Sequence, residues 1–199
     1  RLYLNGATRG PDQVFSYALT ISLGMGLLDA TENEGDVADS EFTSGLLQLQ
    51  YARKVMDNGA QIRVRADAQF SQDPLLPQEQ FAIGGASTVR GYRENLRVRD
   101  EGYIGSLEFV RPLNAANTDP MLGHFNLVTF VDYGDAENIN AAPTEEDELF
   151  SVGLGLLWQY QEFASADLYY GHAINDVPES GDSTLQDDGI HLRLRFNAL

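Results

Sequence analysis

Ala60-Gln-Ile-Arg-Val-Arg-Ala-Asp-Ala-Gln-Phe70 is the stretch that decides the fold. Ala60, Ile62, Val64, Ala66, Ala68 and Phe70 fall on one side of an extended chain, and Gln61, Arg63, Arg65, Asp67 and Gln69 on the other. Successive side chains of a strand point to opposite faces, so a strict period of two marks a strand between two unlike environments. The last stretch repeats the pattern, with Ile190, Leu192, Leu194 and Phe196 opposed by His191, Arg193, Arg195 and Asn197. The same parity runs through Phe15 to Leu23, Gly45 to Tyr51, Tyr103 to Phe109, Phe125 to Tyr133, Phe150 to Tyr160 and, more weakly, Ala164 to Tyr170. That makes about eight strands, with residues 1 to 5 as the tail of a further one.

No stretch with helical period is present to cover a greasy sheet, and the polar faces are rich in Gly, Ser, Gln and Arg. A soluble sandwich or lipocalin-like barrel also alternates, but it turns its apolar face inward. The expectation is instead an all-β fold, a transmembrane antiparallel β-barrel whose apolar face meets lipid and whose charged face lines the interior. No apolar run approaches the roughly 20 residues of a membrane-spanning helix, and the first residues do not read as a secretion signal. A slightly negative mean hydropathy does not argue against a membrane barrel, because lipid-facing and lumen-facing residues average out.

The charge is unevenly placed. The chain carries 30 acidic and 13 basic side chains, a net charge of -17. Leu28 to Phe42, Asp135 to Glu148 and Asn175 to Asp188 hold 6, 6 and 5 acidic residues and no Lys or Arg, so these loops contain the whole imbalance. Nucleic acid is disfavoured as a partner, since its recognition needs clustered cations. With no Cys, disulfides and thiolate metal sites are ruled out. Connections alternate in length: short turns at Asp57-Asn58-Gly59 and near Gln161-Glu162, an intermediate one from Asn114 to Gly123, and between them the acidic loops and a long segment from Ser71 to Arg99. That alternation is expected of outer-membrane barrels, whose short turns are periplasmic. Trp158, Tyr160 and Phe163 then sit beside a short turn, where an aromatic girdle belongs.

Inside the long segment lies Phe81-Ala-Ile-Gly-Gly-Ala-Ser-Thr-Val-Arg-Gly-Tyr-Arg93. It resembles the signature of the outer-membrane superfamily of barrel-assembly factors and two-partner secretion transporters, in which a V-R-G-Y or V-R-G-F loop folds back into the barrel. The matching positions are Val89, Arg90, Gly91 and Tyr92, preceded by Gly84 and Gly85 and followed by Arg93. Ser106-Leu-Glu-Phe-Val-Arg-Pro112 is similar to the family's next strand, and Phe130-Val-Asp-Tyr-Gly134 fits its F-x-D-x-G element, with Phe130 and Gly134 as its outer positions. Parity tests the resemblance independently. Glu108 lies opposite Leu107 and Phe109, and Asp132 opposite Val131 and Tyr133, so both carboxylates point into the interior. Arg90 on an inserted loop would then meet them, and burial makes such pairing close to obligatory.

The resemblance implies the C-terminal half of a sixteen-strand barrel, forming one domain over residues 1–199 without the family's periplasmic polypeptide-transport-associated domains. It also implies residence in the bacterial outer membrane and a role in translocating or inserting proteins or lipids, with Arg90, Glu108 and Asp132 as a structural latch. The expected partners are outer-membrane lipid and lipopolysaccharide, a secreted or inserted client protein, and a second copy completing a sixteen-strand barrel; the competing readings are a small self-closed eight-strand barrel and a fragment of a longer chain. A second reading is a surface barrel acting as anchor, adhesin or binding platform through its acidic loops. No enzyme is expected, because no nucleophile, base and orienter set stands out, and no cofactor is called for. His124, His172 and His191 lie on different strands without metal-ligand spacing, so no metal site is expected. The glycines around Gly84 and Gly91 are not a phosphate cradle, since no Gly-Lys-Ser/Thr follows. The final strand resembles a C-terminal assembly signal, extended past Phe196 by three residues.

Overall fold

The computed structural model describes residues 1–26, 37–113, 122–140, 147–175, 177 and 184–197. Its strands are β1 (Leu2–Arg9), β2 (Gln13–Leu23), β3 (Thr43–Lys54), β4 (Gln61–Ser71), β5 (Phe81–Ile83), β6 (Arg97–Arg99), β7 (Glu101–Pro112), β8 (His124–Glu137), β9 (Glu148–Tyr160), β10 (Ala164–Ala173) and β11 (Ile190–Phe196). Nine of them form a single antiparallel meander in the order β1-β2-β3-β4-β7-β8-β9-β10-β11, and β5 pairs with β6 in a separate hairpin. The tail read at residues 1 to 5 is a full strand paired from Leu2 to Arg9, which raises the main sheet to nine strands. The β5–β6 hairpin has no counterpart in the sequence reading, because three-residue strands are too short to show a period.

The sheet has two edges. Among the described residues β1 and β11 pair only with β2 and β10, so the small self-closed eight-strand barrel is not formed. Strand parity gives the reason: in a nine-strand meander the first and last strands run the same way, and direct closure would set one parallel pair in an otherwise antiparallel ladder.

The outward face follows the pattern expected of the sequence. Leu107, Val131, Leu154, Leu156, Leu168, Leu192 and Leu194 are all exposed, Leu192 to 64%. Trp158 stacks on Tyr160 with centroids 6.2 Å apart, and Phe163 meets Phe196 edge-on at 6.5 Å, at the end that carries the short turns. Tyr103 and Tyr133 pair at 5.9 Å towards the opposite end. Ala60 departs from its assignment and is fully buried, because it lies in the β3–β4 turn rather than on the apolar stripe. Its N–H donates to Asn58 Oδ1 at 3.0 Å, and Gly59, at φ 87°, supplies the left-handed step that the Asn-Gly pair allows. Much of the three acidic segments lies outside the described residues.

The buried apolar cluster is not formed between two sheets. It consists of Ile83, Val89 and Tyr92 from the long β4–β7 segment and Ile104, Ala136 and Leu149 from the inner face of β7–β9. The segment therefore lies against the concave side of the sheet, and each large apolar side chain it buries stabilises that docking by about 1.5–3 kcal/mol.

Candidate functional site

Two left-handed glycines, Gly84 and Gly85 at φ 100° and 105°, turn the chain after β5 into a tight apex. The Gly85 N–H donates to the Val89 carbonyl at 3.1 Å, and the Thr88 N–H to the Gly85 carbonyl at 3.2 Å. Glu94 accepts from the Ala86 N–H at 2.8 Å and ties the two arms together. This apex presents Val89 to Tyr92 to the inner wall.

Arg90 is the centre of the contact. Its Nε and Nη2 donate to Asp132 Oδ2 and Oδ1 at 2.7 and 2.8 Å, a bidentate fork, and its backbone N–H donates to the same Oδ2 at 3.1 Å. Nη1 reaches Glu108 Oε1 at 2.6 Å, and Nη2 reaches Ser106 Oγ at 3.0 Å. The Ser106 hydroxyl donates to Asp132 Oδ1 at 2.6 Å. Asp132 is fully buried and Arg90 is 4% exposed. The guanidinium carbon lies 3.7 Å from the Phe130 ring centroid and 4.9 Å from that of Tyr169. One guanidinium facing two carboxylates leaves a residual negative charge, which Arg63 offsets from 4.0 Å at Glu108 Oε2. Every polar atom of the fork is matched in charge and hydrogen bonding, the condition under which a buried ion pair is tolerated.

The rest of the motif is placed around this pair. The Tyr92 hydroxyl donates to the Phe150 carbonyl at 2.8 Å and accepts from the Asn175 N–H at 3.3 Å, bridging β9 to the residues just after β10. Arg93 turns outward and pairs with Asp187, its Nη2 donating to Oδ2 at 2.7 Å; that hydrogen bond holds the Asp187 carboxyl well below the usual carboxylate range. Gly134 leaves room for Val89: a Cβ there would lie 2.8 Å from Val89 Cγ2. Gly91 is at φ 95° and packs on Gly171 so closely that a Cβ on Gly171 would lie 2.6 Å from the Gly91 nitrogen. Arg90, Glu108 and Asp132 are thus brought together, Gly84, Gly85, Val89, Gly91 and Tyr92 shape the loop, Phe130 stacks on the guanidinium, and Arg93 lies apart on the outer side.

Several participants were not singled out in the sequence. His191 accepts from the Gly91 N–H through Nε2 at 3.2 Å, although the histidines had suggested no chemistry. Ser106 was quoted only as the first residue of the strand that resembles the family's, and Tyr169 and Gly171 on β10 were not noted. Asp100 is buried and accepts from the N–H groups of Leu75 and Ile139 at 2.9 and 3.0 Å and from Gln80 Nε2 at 2.9 Å, fixing the base of the segment. A usable signal existed for some of these: Gly153 and Gly155 stand directly opposite Phe130 and Tyr169 in register, and a glycine facing an aromatic across a ladder marks a ring lying over the sheet.

Comparison with known proteins gives three findings. The family model described as haemolysin secretion/activation protein ShlB/FhaC/HecB matches residues 1–157. Among solved structures, CdiB from Escherichia coli superposes with a TM-score of 0.73 at 20% identity, covering 96% of this chain and 34% of that one. CdiB from Acinetobacter baumannii gives a TM-score of 0.67 at 22% identity, covering 88% of this chain and 29% of that one. At these identities the likeness establishes the fold, and the chain spans about a third of the length of the structures it matches. No curated protein sequence matches it significantly.

Proposed function

Because the chain belongs to the haemolysin secretion/activation family of ShlB, FhaC and HecB, secretion transporters of the bacterial outer membrane and not enzymes, we propose that it forms the lipid-facing wall and the inserted loop of a barrel that translocates a client protein. In this reading the exposed leucine belt meets lipid, and the segment from Gly84 to Tyr92 is held in the interior by the Arg90 latch. The observation that carries it is the buried fork of Arg90 on Asp132, shared with Glu108. A surface loop has no use for an ion pair that costs several kcal/mol to desolvate, whereas a loop that must stay inside a water-filled interior does.

Both sheet edges need partners, since unpaired backbone groups in hydrocarbon cost several kcal/mol each. Further strands of the same polypeptide suit the geometry better than a second copy. Two like-oriented copies would join β1 of one to β11 of the other as parallel pairs at both seams, while an odd number of added strands keeps every pair antiparallel. The mass of the detergent-solubilised full-length protein decides between them. Secretion of the client by cells carrying Arg90→Ala tests the latch: the expected result is lost secretion with the barrel still in the outer membrane. Unchanged secretion together with unchanged heat-modifiability refutes it.

A further inference from the structure

The interior is charged opposite to the chain as a whole. Parity through the ladder registers places Arg9, Lys54, Arg63, Arg65, Arg193 and Arg195 on the inward face, and Arg90 joins them from the loop. Against the six strand cations the inward strand positions carry four carboxylates, Asp67, Glu108, Asp132 and Asp167, and the segment from Gln72 to Asp100 adds four charges of each sign. A protein with a net charge of -17 thus has a cationic interior, its acidic excess lying in the connections at one end.

The cationic surplus converges on one place. A cavity of about 460 Å³ lies between the loop apex, Ser87 and Thr88, and the inner face of β2–β4, with Arg63, Arg65 and Arg193 on its lining. Arg65 is occupied by Asp67 and by the Ser87 carbonyl. Among the described residues Arg63 has the 4.0 Å approach to Glu108, whose other oxygen is taken by Arg90, and a hydrogen bond to Gln61. Arg193 has no hydrogen-bond or ion-pair partner among the described residues. Its register neighbour Asp167 lies instead 3.7 Å from Arg195. The Thr88 hydroxyl is buried and unpartnered. The lining residues Val14, Ala52 and Arg63 sit beside the short turns, so the cavity belongs to the end of the sheet remote from the acidic connections.

We infer that this cavity is a binding site for carboxylate groups of an extended polypeptide segment, held between Arg63 and Arg193 beneath the loop apex. Guanidinium groups present a fork that matches a carboxylate, and 460 Å³ holds a few residues of extended chain rather than a folded unit. That the segment belongs to a client rests on the transport reading above; the arginine site itself does not.

The test uses the full-length protein purified in detergent and fluorescent oligopeptides of glutamate, glutamine and lysine, with anisotropy as readout at low ionic strength. Oligoglutamate should bind through Arg63 and Arg193 and oligoglutamine should not, while any oligolysine binding, drawn by the net charge of -17, should be indifferent to replacement of the two arginines. Arg63→Gln with Arg193→Gln should weaken oligoglutamate binding at least tenfold, as loss of charge-assisted hydrogen bonds requires, while Arg193→Lys alone, which keeps the charge but loses the fork, should give an intermediate affinity. Binding should fall as salt rises. Oligoglutamate binding no tighter than oligoglutamine, or unchanged in the double glutamine variant, overturns the inference. Neither result touches the transport reading, which stands or falls on client secretion by the parent protein and Arg90→Ala.

Discussion

Replacing Arg90 by alanine removes, among the described residues, the only cation bonded to a fully buried carboxylate, Asp132. Stranding one partner of a buried pair costs about 3–5 kcal/mol. The barrel wall has its own ladder and need not unfold, so the cost is met by releasing the loop. The apolar contacts of Val89 and Tyr92 oppose release by about 1.5–3 kcal/mol each, so the ion pair supplies roughly half of what holds the loop. Since each 1.36 kcal/mol is tenfold, the released fraction should rise by roughly two to three and a half orders of magnitude. These 199 residues contain no cysteine, so Val89→Cys, with any cysteine outside them replaced, is a single reporter at a position that is fully buried when docked. In that background, maleimide labelling should be slow with Arg90 present, faster by about 10²-fold or more with alanine, and intermediate with lysine, which keeps the charge but loses the fork. Adding Asp132→Asn to the alanine variant should cost little more, because the stranded charge is then gone. Labelling within twofold of the Arg90-containing reporter would show that the ion pair does not hold the loop, and the reasoning would fail.

Gly171→Ala should release the loop as well, since its Cβ would lie 2.6 Å from the Gly91 nitrogen and 2.8 Å from the Arg90 carbonyl carbon; overpacking of this kind costs about 1–3 kcal/mol. Gly105→Ala, with nothing within 4 Å of the added Cβ, is the matched control and should leave labelling and urea midpoint unchanged. His191→Phe leaves the Gly91 N–H without its acceptor, at about 1–3 kcal/mol, and His191→Gln should recover most of that; the two are compared by the same labelling rate. The Arg93–Asp187 contact should resist acid. A carboxyl whose folded value is depressed gives its full stabilisation above the ordinary value near 3.9 and loses it only as pH falls through the folded value. Protease cleavage near Asp187 should therefore stay unchanged from pH 7 to 4 and rise at neutral pH in Asp187→Asn.

The strands were legible because each divides two environments and writes that division into every second residue. Leu107, Val131 and Leu154 against Glu108, Asp132 and Ser151 are enough to orient β7, β8 and β9. Asp132 and Glu108 were assigned inward for the same reason; that their cation is Arg90 followed from the family resemblance, which places the V-R-G-Y loop inside the barrel, since parity alone offered Arg63, Arg65, Arg193 and Arg195 as well. What parity does not encode is position across the interior. His191 and Arg90 are 101 residues apart, and nothing in β11 distinguishes His191 from other inward polar residues until the loop is laid on the wall. The same holds for Gly171, whose bareness matters only because Gly91 presses against it. The tail read at residues 1 to 5 extends to the full strand β1, whose Leu2, Leu4 and Gly6 make a weak stripe, and the β5–β6 hairpin was lost because three residues carry no period.

Arg65 shows how the loop is held firmly at one side and only lightly at the other. On the β7–β8 wall Arg90 is buried and makes five hydrogen bonds; on the β4 wall Arg65 is about one-third exposed and reaches only the Ser87 carbonyl of the apex. Hydrogen bonds at the exposed contact exchange with water at small net cost, whereas those at the buried one do not. Arg65→Ala should therefore leave labelling of the Val89→Cys reporter nearly unchanged, while accelerating labelling of a second reporter, Thr88→Cys, beside the cavity. If both reporters respond equally, the loop moves as one body and the two walls are not distinct in strength.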